Sequence, residues 1–195
     1  AVGEMLYFVI SAFGENVIDE DIANALYVSI LTDTGSFRYS NTSSKTFYVA
    51  SKLIECGSSP SKINLEVYEN VAYDKIKLLQ EVLATLELNE DKNFAIMYLK
   101  SDVLKKYQGN GDITEGFVNY GRIIKGVEVS CMLKEVAKNK FKVSLRSKKF
   151  NVAKVAIEMF GGGGHENASG GAIEGELFKL LNDFKTLFTK LLKEK

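Results

Sequence analysis

The 195-residue chain contains no tryptophan, one proline, one histidine and two cysteines, and its 25 basic residues balance its 25 acidic ones. Cys56 and Cys131 are too few and too far apart for a disulfide framework or a zinc knuckle, which favours a reducing, cytoplasmic setting. The zero net charge excludes a global field that recruits nucleic acid or a membrane. No apolar run reaches about 18 residues and no signal peptide is visible, so we expect no membrane span.

The composition that remains is that of a globular protein. The hydrophobic share of 46% is ordinary, and the length suffices for one large domain or two small ones. The chain opens at Ala1 with AVGEMLYFVISAFG, which predicts an amphipathic helix already under way. We therefore expect this sequence to be part of a longer protein.

The first part of the chain, residues 1–72, is predicted to consist of helices joined by short loops. Asp19 is a plausible N-cap of a helix that extends through Leu31. A further helix over 44–55 is expected to end at Gly57, because glycine commonly follows the last helical residue.

A linker helix is predicted between two domains. Apolar residues at spacings of three and four, from Ile76 to Leu86, indicate a helix over 73–88, and a polar cluster follows it. We interpret 73–92 as this linker and 93–195 as a second domain.

The second domain has the alternation of strands and helices that is typical of an α/β fold with a mixed sheet. The predicted elements are a strand at 94–99, short helices near 101–107 and 113–123 with the turn QGNGD between them, a hairpin over 127–136 and 141–145, a helix over 151–160 with Val152, Val155, Ala156 and Met159 on one face, a short Gly-Ala-Ile-Glu strand, and a final helix near 176–193.

A glycine-rich stretch, GGGGHENASGG at 161–171, holds the only histidine, His165. Four consecutive glycines lose much backbone entropy on folding, so a folded protein keeps them where positive φ or close approach to a ligand is required. After a helix end, such a loop exposes several backbone N–H groups, and a concave set of these binds phosphate or another anion. A flexible linker is the alternative.

Charged residues near this stretch provide further candidates. Basic residues dominate 134–154, which indicates either a phosphate-binding surface or a solvated strand face. Strand alternation directs Arg146 and Ser144 away from Val143 and Leu145, so the Arg146 guanidinium can grip a phosphate or remain at the surface.

Two more candidates lie in the loop LTDTGSFRYSNT of the first domain. Asp33 is either a hard ligand for a divalent metal or a side chain that caps the following turn. Arg38 either reaches an anion or extends into water.

Two tracts, LTDTGSFRYSNT and FKVSLRSKKFNVAKVAIEMFGGGGHENASGG, together resemble the DHH phosphoesterase superfamily, in its RecJ-related branch of bifunctional oligoribonucleases and pAp phosphatases (nanoRNases). The resemblance covers essentially the whole chain. It departs from the family motif HxxAAG, which is His165-Glu166-Asn167-Ala168-Ser169-Gly170 here. The Asp-His-His signature and the other N-terminal metal ligands of the family are absent from the sequence.

The resemblance implies an α/β fold composed of the helical C-terminal part of a DHH catalytic domain and a smaller substrate domain with a mixed sheet. It implies that Asp33 is a catalytic residue that ligates one of two Mn²⁺ ions in the intact parent. The residues that the resemblance implies for substrate binding are Arg146, Ser147, Gly163, Gly164 and His165, with Arg38 as an additional candidate. The implied substrates are short RNA oligonucleotides and pAp, and a homodimer is an open alternative to a monomer.

Two alternatives from other functional classes remain at this point. A module that binds nucleotides or single-stranded RNA without catalysis fits the second domain equally well. Within enzymes, a cyclic-dinucleotide phosphodiesterase or an exopolyphosphatase-like activity shares the same chemistry. With most metal ligands missing, the 195-residue chain is expected to bind nucleotides and to be hydrolytically inactive.

Overall fold

A computed structural model describes residues 1–14, 17–107 and 112–194. The chain divides into two compact units, Ala1–Val71 and Ala72–Lys195. Most of the predicted QGNGD turn lies outside the described residues. No helix in the described ranges is long and apolar enough to cross a membrane.

The first unit is helical, as predicted. Asp19 caps its second helix, because the carboxylate accepts a hydrogen bond from the backbone N–H of Ile22 at 2.9 Å. Gly57 follows the third helix with φ of 100°, a conformation that glycine adopts without strain. The four helices are α1 (Val2–Ser11), α2 (Glu20–Asp33), α3 (Ser44–Glu55) and α4 (Pro60–Tyr68).

The second unit contains a six-stranded sheet in the order β1-β2-β3-β4-β6-β5. Strands β2 and β3 are parallel and the other neighbouring pairs are antiparallel, so the predicted mixed sheet is confirmed. The elements are α5 (Tyr73–Leu83), β1 (Glu87–Leu88), β2 (Phe94–Leu99), α6 (Ser101–Leu104), α7 (Val118–Arg122), β3 (Val129–Ala137), β4 (Lys140–Ser147), α8 (Val152–Phe160), β5 (Gly163–His165), β6 (Ala168–Glu174) and α9 (Leu177–Lys193).

The helix predicted over 73–88 is five residues too long. It ends at Leu83, and residues 87 and 88 pair with β2 instead. The hydroxyl of Thr85 donates hydrogen bonds to the carbonyls of Val82 and Tyr98, which ties the helix end to the strand. Helical spacing of leucines cannot foresee this pairing, because it depends on a strand that is distant in sequence.

Helix α5 also packs in the core of the second unit, where Leu78 and Val82 are fully buried together with Met97 of β2. Its role as a linker between domains remains a prediction. The helix predicted at 113–123 is shorter, Val118–Arg122. Met159, predicted to share one apolar face of α8 with Val152, is 52% exposed.

The sheet has one fully covered face and one partly open face. Helices α8 and α9 cover the first, where inward side chains of β3 and β4 such as Leu133 and Leu145 are fully buried. On the second face, the apolar cluster beneath α5 and α7 involves β2 and β3, through residues such as Met97 and Met132. We call the part of this second face formed by β4, β6 and β5 the open face.

Candidate functional site

Strand β4 presents polar side chains to the open face, as its alternation predicts. Phe141, Val143 and Leu145 are buried against α8 and α9. The intervening residues therefore point the other way, and Ser144 and Arg146 both line a cleft there. The predicted orientation of Arg146 is confirmed.

This cleft has a volume of about 310 Å³. Three cationic side chains and two carboxylates line it, which gives it a net positive charge of one. The lining residues are Asp112, Thr114, Glu115, Gly116, Val118, Met132, Lys134, Lys142, Ser144 and Arg146. A concave, predominantly basic surface of this kind suits an anionic ligand.

Asp112 is the central acid of the cleft. Its carboxylate accepts hydrogen bonds from Lys134 Nζ at 2.7 Å and from the hydroxyl and backbone N–H of Thr114 at 2.5 and 3.1 Å, and Lys142 Nζ lies 3.5 Å away. Burial raises the pKa of Asp112, but the hydrogen bonds from Lys134 and Thr114 together outweigh it and hold the pKa well below its usual range. The group is therefore ionised throughout the neutral range.

The glycine stretch does not form the open loop of unpaired amides that was predicted. Gly161 ends α8 in the left-handed conformation with φ of 57°, and the N–H of Gly162 donates to the carbonyl of Ala156 at 3.0 Å. Residues 163–165 then form β5, which pairs with β6 at the edge of the sheet. The prediction failed because glycine content cannot distinguish a loop from an edge strand.

Gly162 and Gly164 are required by contact with the protein's own backbone. A Cβ at Gly162 would lie 2.0 Å from the carbonyl oxygen of Gly170, and one at Gly164 would lie 2.7 Å from Ser169 Cα. A Cβ at Gly163 would meet nothing within 4 Å. Gly163 is thus the position in β5 at which the backbone is open to a ligand.

The strand register places His165 on the same face as Arg146. His165 pairs with Ala168 on β6, and Ala168 pairs with Arg146 on β4. Paired residues of antiparallel strands project to the same side, and two strand spacings amount to about 10 Å. His165 is exposed, and Ala168 of β6 lies between it and Arg146, followed on the same face of β6 by Gly170 and Ala172.

Ser147 is buried, and its contacts are structural. Its hydroxyl donates to the carbonyl of Phe150 at 2.5 Å and accepts from Asn167 Nδ2 at 3.0 Å. The bond to Asn167 links the end of β4 to the turn between β5 and β6. Ser147 therefore supports the position of His165 through that turn.

Asp33 ends α2 in the first unit, with its side chain 51% exposed. Its Oδ2 accepts a hydrogen bond from Asn41 Nδ2 at 3.0 Å. Arg38 donates through Nε to the carbonyl of Gly35 at 2.7 Å. Both side chains thus have local partners within the loop that carries them.

The backbone after Asp33 is strained. Gly35, Ser36 and Phe37 all have left-handed φ, between 55° and 61°, which costs about 1–3 kcal/mol for each of the two non-glycine residues. The buried hydroxyl of Thr34 accepts from the N–H of Phe37 at 3.0 Å, and the Phe37 ring stacks on Phe47 with centroids 5.2 Å apart. These contacts fix the loop, and strain of this kind is concentrated at functional sites.

The described residues contain no group of three or more His, Cys, Asp or Glu side chains that could hold a metal ion. An exposed aspartate oriented by an asparagine is a suitable oxygen donor for a hard divalent ion, but it supplies one ligand only. Asp33 and Arg38 belong to the first unit, whereas Arg146, Ser147, Gly163, Gly164 and His165 belong to the second.

Sequence reasoning missed Asp112 and Thr114. The available signal was an aspartate two residues before a threonine, a spacing at which the carboxylate accepts from the backbone two residues on. Asp112 and Thr114 come close to Lys134 only because the chain folds back beside β3, and no local sequence pattern indicates this contact.

Comparison with known proteins yields a family match and several relatives. The profile of the DHHA1 domain matches residues 91–194. The chain is 34% identical over 154 residues to the probable bifunctional oligoribonuclease and PAP phosphatase NrnA of Streptococcus mutans. The aligned region covers 78% of this chain and 48% of that protein. It is 32% identical over 173 residues to a membrane protein–large ribosomal subunit bL9 fusion protein of Onion yellows phytoplasma. This aligned region covers 89% of the chain and 19% of the relative.

Among solved structures, an exopolyphosphatase-related protein from Bacteroides fragilis superposes with a TM-score of 0.89 at 31% identity. The match covers 99% of this chain and 58% of that one. This chain therefore spans about half the length, or less, of the curated relatives described above.

Proposed function

Because the chain belongs to the DHHA1 family of DHH phosphoesterases, we propose that it forms part of a metal-dependent phosphoesterase that hydrolyses short oligoribonucleotides and pAp. The observation that supports this most strongly is the open face, where Arg146 and His165 flank a floor of alanine and glycine. Such a floor lets a nucleotide lie directly on the sheet between two groups that recognise phosphate.

In this proposal, each residue of the open face has a specific role. Arg146 grips a phosphate through its planar guanidinium, and His165 donates a hydrogen bond from the edge strand. Gly163 allows the ligand to approach the backbone, because nothing lies within 4 Å of the space a Cβ would fill. Fixing one end of the substrate in this way favours short substrates.

Asp33 would hold one Mn²⁺ ion in the intact protein, with Asn41 orienting its carboxylate. The chemistry that such a site would supply, with two ions bound, is a metal-activated water near neutral pH and neutralisation of the charge on the phosphate. The residues of this chain contribute a fixed carboxylate in one unit and a nucleotide-binding surface in the other.

The test is binding of pAp to the 195-residue chain by calorimetry, with substitutions in the open face. Arg146→Ala is expected to weaken binding at least tenfold, because a charge-assisted bidentate contact is lost. Gly163→Ala is expected to weaken it severalfold without loss of stability. Lys179→Ala on α9 is the matched control, since Lys179 is an exposed cation bound to Asp183 on the opposite side of the sheet.

The proposed open-face site is wrong if Arg146→Ala and Lys179→Ala bind pAp equally well. If pAp does not bind the wild-type chain at all, the proposed nucleotide site is likewise refuted.

A binding module without catalysis is the second candidate. It is favoured by the lack of a three-ligand metal cluster in the ranges that the structure describes. Manganese-dependent hydrolysis of pApA by the intact protein separates the two candidates: turnover supports the phosphoesterase, and tight binding without turnover supports the module.

A further inference from the structure

The acid in the cleft is placed where it competes with a bound anion. Lys134 directs two of its three N–H donors to Asp112 and Thr114, at 2.7 and 3.2 Å, and its side chain is only 15% exposed. Any phosphate that binds Lys134 must therefore share this ammonium group with the Asp112 carboxylate.

Asp112 is also held firmly in that position. Thr114 donates both its hydroxyl and its backbone N–H to the carboxylate, and only 38% of the Asp112 side chain is exposed. The hydrogen bonds from Thr114 thus hold the negative charge beside Lys134 at the wall of the cleft.

The expected consequence depends on the charge of the ligand. Repulsion from a fixed carboxylate increases with the number of negative charges brought near it. Because Arg146 also lines this cleft, an oligonucleotide bound to Arg146 would bring one diester near Asp112, with its other charges spread along the chain. A compact polyphosphate brings several charges into the same cleft.

From this arrangement, and on the premise of the proposed function, we infer that Asp112 is a specificity-determining residue. It disfavours compact polyphosphates relative to nucleotide phosphodiesters, while Lys134, Lys142 and Arg146 still provide attraction. Asp112 therefore makes the cleft bind short nucleic-acid fragments in preference to inorganic polyphosphate.

The experiment measures binding of tripolyphosphate and of pApA to the 195-residue chain and to Asp112→Asn, by calorimetry in low salt. The substitution removes the charge and keeps the shape. We expect tripolyphosphate to bind about tenfold more tightly and pApA about twofold more tightly. Asp183→Asn is the matched control, because Asp183 is an exposed carboxylate on α9 with its own lysine partner, and it should change neither affinity.

Two results overturn the inference. If Asp112→Asn weakens both ligands, Asp112 serves to position Lys134 and does not select among ligands. If both ligands tighten by the same factor, charge discrimination is absent. In either case wild-type binding of pApA leaves the proposed function standing, whereas failure of pApA to bind the wild-type chain refutes that function as well.

Discussion

The loop after Asp33 and the open face around Arg146 hold their candidate functional side chains in place by different means. The loop holds a single carboxylate on a strained backbone that buried contacts keep in place. The open face needs little strain, because regular strand pairing aligns Arg146 with His165. In the proposed function, a rigid turn fixes the carboxylate that would hold a metal ion, and a regular stretch of sheet forms the surface that would bind a nucleotide.

Gly162→Ala should lower the free energy of unfolding more than any other substitution proposed for these two regions. A Cβ there would lie 2.0 Å from the carbonyl oxygen of Gly170, a backbone atom that cannot move aside. We expect a loss of about 3 kcal/mol in the free energy of unfolding of the second unit, measured by denaturant titration.

Gly163→Ala is the internal control for that substitution, because its added methyl group would project into open space. It should change the free energy of unfolding by about 0.5 kcal/mol or less. Equal destabilisation by the two substitutions would contradict the account of which glycines serve packing and which serve the ligand.

The first unit should respond most to loss of the Thr34 hydroxyl. This fully buried group donates to the carbonyl of Ile30 at 2.7 Å and accepts from the N–H of Phe37 at 3.0 Å. Thr34→Val leaves the N–H of Phe37 without that acceptor in the strained turn, so we expect a loss of about 2 kcal/mol of stability.

Thr32→Val provides the comparison, because the Thr32 hydroxyl bonds backbone carbonyls of the same helix at an exposed position. Its effect on the unfolding free energy should be small. If the two valine variants unfold at the same denaturant concentration, the buried hydroxyl does not hold the turn.

The smallest expected effect is on how stability depends on pH, through Asp112 in the cleft of the second unit. The pKa of Asp112 is depressed in the folded protein, so its ionised form contributes stability above the unfolded pKa of about 3.9. That contribution is lost as pH falls from about 4 through the folded pKa. The difference in stability between wild type and Asp112→Asn should therefore shrink between about pH 6 and about pH 3, as measured by unfolding at each pH.

An unchanged difference across this range would show that the contacts of Asp112 do not depend on its charge. Glu174→Gln serves as the control, because Glu174 pairs with Lys140 at an exposed site where ion pairs contribute little.

The sequence predicts much of the fold where the signals are local. A continuous apolar run located β2 to the residue, apolar alternation oriented Arg146 correctly, and Asp19 marked the start of α2. The family resemblance, based on the glycine-histidine tract and the loop after Asp33, is confirmed by the DHHA1 match.

The features that sequence reasoning missed depend on contacts between distant segments. Strand β1 exists because Glu87 and Leu88 pair with β2, and β5 exists because Gly163 to His165 pair with β6. The approach of Asp112 to Lys134 likewise joins residues that no local pattern connects. The roles of Asp33, Arg38 and the residues of the open face in binding and catalysis remain predictions.

The central claim is that the open face binds a phosphorylated nucleotide. The most direct measurement is a titration of the isotope-labelled chain with pAp, followed through backbone amide resonances in NMR spectra. The account predicts that Gly163, His165 and Arg146 shift together with one affinity, while amides of α9 on the covered side stay unchanged. Shifts confined to α9, or to the first unit, would contradict it.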